Sequence, residues 1–321
     1  MRAVRLSEHG GPETLRVEEI DRPEPGDGEL LVEIEAAGVN PVDTYFRDGS
    51  YEPLTLPFTP GADFAGRVVE TAEGIDTFES GDRVYGTGIG NSDFQGAYAE
   101  YATVPSDRVV ELPEDVSMLE AGGAGVAACT AWRALVDCAN LDPAEYCLVH
   151  GGSGGVGHVA VQVAAAVSAR TITTADPSYH DTLSALGAGT VLDYDRDDLA
   201  GAIRAASDGG VDVILDHRLD DYLQFDTAVA EPGANVVGIG ENDPEPAFSN
   251  VAAARAKDVE YRFMSLFNAP DLRVPLRGIA HLMTAEGLSI EVAQRYSLEE
   301  AAQAQRDVMN ESFLGKLVIE P

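Results

Sequence analysis

One turn constrains the fold of this chain more than any other segment. The apolar run 146–150 breaks into Gly152-Ser153-Gly154-Gly155-Val156-Gly157, and an alanine-rich stretch, 158–167, follows at once. The succession predicts a strand, a glycine turn and a helix, the opening unit of a parallel sheet. In such a GxGxxG turn the first glycine makes the bend and the second lets backbone N–H groups approach a pyrophosphate. The third lets helix pack against strand, with the phosphates at the positive helix end. A chain with 33 glycines can produce the string by chance, so the flanking strand and helix carry the reading.

Asp176 stands 19 residues after Gly157, at the end of a second expected strand, 170–175. A carboxylate there accepts hydrogen bonds from adenosine ribose hydroxyls and repels a 2′-phosphate, which favours NADH over NADPH. The alternative is that Asp176-Pro177-Ser178 is a turn whose aspartate caps the next helix. Further strands are expected at 190–194, 211–216, 235–239 and 259–266, alternating with helical stretches, hence a doubly wound parallel sheet.

Before about residue 120 the rhythm is different. Short strands are expected at 29–36, 67–70, 83–85 and 98–104, separated by Gly74, Gly81 and Gly96, which suggests a small β-rich barrel. The tail from Asp271 contains an amphipathic helix, 298–309, and a last strand, 317–320, expected to return to the first domain.

Composition narrows the function classes. The 55 Asp and Glu against 21 Lys and Arg give a net charge of −34, which disfavours a nucleic-acid partner. Lys257 and Lys316 are the only lysines, and an acidic, lysine-poor surface points to adaptation to molar salt. Cys129, Cys138 and Cys147 form no CxxC pair and are expected as small buried residues, not a disulfide framework or zinc site. The start lacks a signal-peptide run, and the longest uncharged stretch, 121–132, is too short to span a bilayer; a soluble cytoplasmic protein is expected.

The chain resembles, over nearly its full length, the zinc-independent quinone oxidoreductases (ζ-crystallin-like) of the medium-chain dehydrogenase/reductase superfamily. The matching blocks are Gly38-Val39-Asn40-Pro41-Val42-Asp43-Thr44-Tyr45, Pro60-Gly61-Ala62-Asp63-Phe64-Ala65-Gly66, Gly81-Asp82-Arg83-Val84-Tyr85, Gly96-Ala97-Tyr98-Ala99-Glu100-Tyr101 and the glycine turn. Tyr296-Ser297-Leu298-Glu299-Glu300-Ala301 and Gly315-Lys316 also fit.

The resemblance implies a GroES-like β-barrel domain from 1–122 and 268–321, a Rossmann domain from 123–267, and a nicotinamide cleft between them. By position it brings Asn40, Asp43, Tyr45 and Thr130 to the nicotinamide or the substrate, with Tyr51 nearby. Gly152, Ser153, Gly154, Gly155, Val156 and Gly157 would hold the pyrophosphate, and Tyr194 would lie on the adenine side. Gly238, Ile239, Leu266 and Phe267 would line the path to the nicotinamide. Tyr45 or Tyr51 would donate to the developing oxyanion, with Asp43 supporting. Packing at a barrel rim for the two tyrosines, a polar residue in a buried helix for Thr130 and a plain strand end for Tyr194 are the competing readings. A homodimer through the Rossmann domain is also implied.

Zinc relatives use a Cys near the Asn40 position and a His-Glu pair after the Gly61 equivalent. This chain has Asn40, Asp43 and Gly61-Ala62-Asp63 there, with no thiolate or imidazole, so a metal-free enzyme is expected. Without a Lewis acid, an electron-poor quinone is the natural hydride acceptor. An alkenal or enone double-bond reductase, or a non-catalytic dinucleotide-binding protein, are the alternatives. NADPH-using relatives carry a small residue in place of Asp176 and often a Ser-Arg pair in place of Ile239-Gly240, so NADH is favoured within an NAD(P)H family. His217-Arg218-Leu219-Asp220-Asp221 also departs from the small residues usual there.

Overall fold

The computed structural model describes residues 1–321 apart from 52, 53 and 286. The chain divides into two compact units, Met1–Cys129 with Pro270–Pro321, and Thr130–Ala269.

In the first unit, β1 (Arg2–Leu6) and β2 (Leu15–Glu19) form an antiparallel hairpin. The alternating segment becomes β3 (Glu29–Val39), where Leu30, Val32, Ile34 and Ala36 are all buried while Glu33 and Glu35 face outward. Helix α1 (Pro41–Asp48) follows, then β4 (Phe64–Thr71), β5 (Arg83–Gly86), β6 (Tyr101–Pro105) and β7 (Val109–Glu111). Helix α2 (Met118–Trp132) carries the chain across the division between units.

The second unit runs β8 (Tyr146–Val149), α3 (Gly155–Ala166), β9 (Arg170–Ala175), α4 (His180–Ala185), β10 (Thr190–Asp193), α5 (Leu199–Ala206), β11 (Val211–Asp216), α6 (Leu219–Val229), β12 (Ala230–Gly238), α7 (Val251–Ala256) and β13 (Glu260–Phe263). Among the described residues its strands form one parallel sheet in the order β10-β9-β8-β11-β12-β13. The order reverses direction between β8 and β11, the point where ligands bind in open α/β sheets. Leu148, Ile172, Ile203, Val211, Ile214, Val229 and Val236 make the core beneath it.

The chain then returns to the first unit as α8 (Arg273–Thr284), β14 (Val292–Ser297), α9 (Ala301–Asn310) and β15 (Lys316–Glu320). β15 pairs antiparallel with β3, Leu317 opposite Val39, so the last strand completes the sheet of the first.

Two details differ from the sequence reading. The expected helix at 298–309 begins as a tighter turn, Leu298–Glu300, because the Ser297 N–H donates to Glu300 Oε2 at 2.9 Å in a capping box. β12 begins several residues before the expected 235, because Glu231, Pro232, Gly233 and Ala234 are accommodated by a shift in register against β11. Cys129 and Cys147 are buried, Cys138 is half-buried, and none of the three is in a disulfide.

Candidate functional site

The residues singled out on the parallel sheet gather at the carboxyl ends of its strands. Beyond β8 comes the glycine turn, whose left-handed residue is Gly151 at φ 66°, one position before the motif's first glycine. The motif glycines have separate tasks. A Cβ on Gly152 would stand 2.1 Å from Thr173 Oγ1 of β9, and one on Gly157 2.1 Å from the Gly151 carbonyl oxygen, so both are close-approach positions. A Cβ on Gly154 would meet only the Gly151 oxygen, at 3.4 Å. Gly154 is the N-cap of α3 and no side chain caps the helix, so the first N–H groups of a twelve-residue helix form a cradle without a side-chain acceptor. Ser153, Gly155 and Val156 lie in that cradle. It fits an anionic pyrophosphate.

Beyond β9 lies Asp176, half-buried. Its Oδ1 accepts from the Ser178 N–H at 2.8 Å and the Ser178 hydroxyl at 2.6 Å, so it does cap the following turn. Those bonds hold its carboxyl below the usual carboxylate range. Parallel pairing sets Asp193 of β10 opposite Ala175, which brings Tyr194 alongside Asp176. Partial burial, then the charge of Asp176, raises the Tyr194 phenol above its ordinary value. Beyond β12, Gly238 is buried and Ile239 half-buried, with the Ile239 N–H bonded to the Asp216 carbonyl at 2.8 Å. Leu266 and Phe267 fall in the short turn after β13, and Thr130 is buried in α2.

The first unit's candidates lie around α1. Asn40 is its N-cap, and the Asn40 N–H donates to Asp43 Oδ2 at 2.8 Å. Both side chains are buried in a polar network. Asp43 also accepts from the Tyr98 hydroxyl at 2.9 Å and the Ala62 N–H at 3.1 Å. Asn40 Nδ2 donates to Asp63 Oδ2 at 2.8 Å, while Asp63 Oδ1 accepts from Thr87 and from the Val126 N–H, both at 2.7 Å. The fully enclosed ammonium of Lys316 donates to the Val39 carbonyl at 3.0 Å and to Asn40 Oδ1.

Burial pushes Asp43 up to about 7, with the charge of Asp63 adding to it. Asp63 is raised and Lys316 lowered, each chiefly by burial. Asp43 is therefore enclosed below the surface, while Tyr45 is half-buried and Tyr51 exposed, its ring edge-on to Phe46 at 5.3 Å. Asp63, Tyr98 and Lys316 were not singled out as functional from the sequence. The signal available was that a chain with two lysines places one of them within a matching block. Among the described residues, no group of three or more His, Cys, Asp and Glu side chains is arranged to hold a metal ion, and no helix is long and apolar enough to cross a membrane.

A GroES-like β unit carried with a sheet of this strand order is the fold of the medium-chain dehydrogenase/reductases. Residues 26–114 match the family described as Alcohol dehydrogenase GroES-like domain, and residues 186–319 that described as Zinc-binding dehydrogenase. The quinone oxidoreductase of Lama guanicoe is 33% identical over 326 residues, covering 99% of this chain and 97% of that protein. A crystal structure of an NAD-dependent alcohol dehydrogenase superposes with a TM-score of 0.94 at 27% identity, covering 100% of both chains. The Escherichia coli quinone oxidoreductase complexed with NADPH does so at 0.91 and 26%, again over 100% of both. The chain belongs to the quinone oxidoreductase family of this superfamily, and it is an NAD(P)H oxidoreductase.

Proposed function

We propose that this protein reduces quinones, or related electron-poor carbonyl compounds, with NADH preferred over NADPH and without a metal ion. The observation that carries the reading is the uncapped N-terminus of α3 above a turn in which Gly152 and Gly157 are enforced by close packing. Bound NAD(P)H supplies the hydride. N–H groups of the 152–157 turn would hold its pyrophosphate, and Asp176 would accept from the adenosine ribose hydroxyls through Oδ2 while Oδ1 caps its turn. Tyr194 would lie on the adenine side, and Gly238, Ile239, Leu266 and Phe267 along the nicotinamide path.

What argues for metal independence is the donor set. Asn40 and Asp63 stand where zinc relatives carry ligands, but they bond to each other, and a lysine ammonium already donates to Asn40 Oδ1. A cation beside a set without thiolate or imidazole does not fit zinc. A quinone needs no Lewis acid, so catalysis here is orientation plus a hydrogen bond to the developing oxyanion. Tyr45, or Tyr51 beside it, would donate that bond. Asp43 is a positioning residue: it holds the start of α1 against Tyr98 and the Ala62 backbone. Asn40 and Thr130 would border the nicotinamide.

The protein is further read as a salt-adapted cytoplasmic homodimer. The exposed strand β13, with Phe263 65% accessible at the end of the sheet, supports association through the second unit. The direct test is steady-state oxidation of NADH and NADPH in molar KCl against quinones, enones and alcohols. Quinone-dependent turnover with a higher kcat/KM for NADH is expected. A strong preference for NADPH overturns the role given to Asp176, and turnover confined to enones moves the protein to double-bond reduction.

A further inference from the structure

Beneath the switch point of the parallel sheet lies a second buried polar cluster that the reaction as described does not use. Asp216 at the end of β11 and Asp226 on α6 are both fully buried. Each has one oxygen with a donor: Asp216 Oδ1 accepts from the Arg218 N–H at 2.7 Å, and Asp226 Oδ1 lies 2.8 Å from His150 Nε2. The other two oxygens, Asp216 Oδ2 and Asp226 Oδ2, are buried with no donor, and the two carboxyls are close enough for each to act on the other's protonation. A proton between them satisfies both oxygens; two adjacent buried carboxylates without one repel and remain unsolvated.

The surroundings supply no counter-charge. His150 is fully enclosed and stacks on Tyr222 at 4.1 Å, and burial pushes it down to about 4, so it is neutral and donates through Nε2. His217 is likewise pushed down to about 4 by burial, and Arg218 turns its guanidinium to Asp221. From the other side, β13 presents the Tyr261 hydroxyl, which bonds to Thr227 at 2.6 Å. Burial, then the charge of Asp226, pushes Asp216 up to about 7, and burial raises Asp226 well above its ordinary value.

The cluster joins the two turns that the dinucleotide reading depends on. His150 immediately precedes Gly151, and a Cβ on Gly151 would stand 2.6 Å from the His217 ring, so the turn after β8 rests on the turn after β11. We propose that Asp216 and Asp226 share a single proton, and that this protonated pair is a positioning group for the bound dinucleotide. The pair ties the end of β8 to the end of β11 beneath the pyrophosphate, whose negative charge favours the protonated form. Cofactor binding and proton uptake are then linked: affinity falls as pH rises and the pair ionises.

The inference rests on the glycine turn as the cofactor cradle, and the experiment separates the two. NADH and NADPH binding is measured by calorimetry in molar KCl from about pH 6 to about pH 8.5, in buffers of different ionisation enthalpy. Wild-type protein is expected to take up a proton fraction on binding above about pH 7, with Kd rising several-fold across the range. Asp226→Asn keeps an acceptor for His150 and offers Asp216 a donor without a titrating proton. It is expected to bind with a flat pH profile and to lose the uptake assigned to the pair. Asp216→Asn is the mirror variant, with the same expectation, if Asp226→Asn does not fold. Wild-type binding without proton uptake, or variants that keep the wild-type pH profile, overturn the proposal. Absence of binding at every pH overturns the cradle itself.

Discussion

At the residue scale, the buried network around Asn40 shows how few side chains hold the candidate site. Asn40 and Asp43 were visible from their motif, but their partners are 23, 55 and 276 residues away, as Asp63, Tyr98 and Lys316. Local pattern carries no information at such separations; only the fold closes them. Replacing Lys316 by Met removes a donor from Asn40 Oδ1 and from the Val39 carbonyl and leaves Asp63 without its cation. A loss of about 3–5 kcal/mol in unfolding free energy is expected by denaturant titration. Asp43 gives a pH signature. Its carboxyl binds a proton more tightly folded than unfolded, so its contribution to stability is present below about pH 4 and is lost as pH rises towards about 7. The Tm of Asp43→Asn relative to wild type is therefore expected to rise across that interval in thermal scans. Tyr45→Phe and Tyr51→Phe separate donor from packing residue: the donor's loss lowers kcat by roughly 10-fold or more while the other variant stays near wild type.

At the scale of elements, the strands of the parallel sheet were largely legible because each is a short apolar run between turn residues; β9 and β11 end where the pattern places them. The hairpin of β1 and β2 was not read, since its charged outer face interrupts the apolar pattern. The glycine turn was legible as a motif, and its left-handed residue, Gly151, lies one position before the motif. Its geometry separates folding from binding. Gly154→Ala has room for its methyl, so Tm is expected to change little while NADH and NADPH Kd rise at least about 10-fold in calorimetry. Gly157→Ala sets its methyl against the Gly151 carbonyl and is expected to lower stability by about 1–3 kcal/mol as well. At the end of β9, Asp176→Ser keeps a small capping side chain and removes the charge. The NADPH to NADH ratio of kcat/KM is expected to rise roughly 10-fold or more.

At the scale of the molecule, the net charge of −34 is carried on a frame that encloses four acids among the described residues, Asp43, Asp63, Asp216 and Asp226. Most acids face solvent, where self-repulsion is screened only by salt, with a Debye length of about 3 Å at 1 M. Tm is expected to rise between about 0.1 M and molar KCl, and an unchanged Tm removes the reading of salt adaptation. The two-lysine composition was legible at once; that Lys316 lies enclosed beside Asn40 was not, because charge counts do not say which charges are buried. The central claim is hydride delivery from the nicotinamide to a quinone without a metal. It is tested most directly by initial rates of quinone reduction with C4-deuterated NADH, in molar KCl, after exhaustive chelation. Undiminished turnover and a primary isotope effect on the chemical step are expected. Activity that disappears with chelation and returns only with added zinc would contradict it.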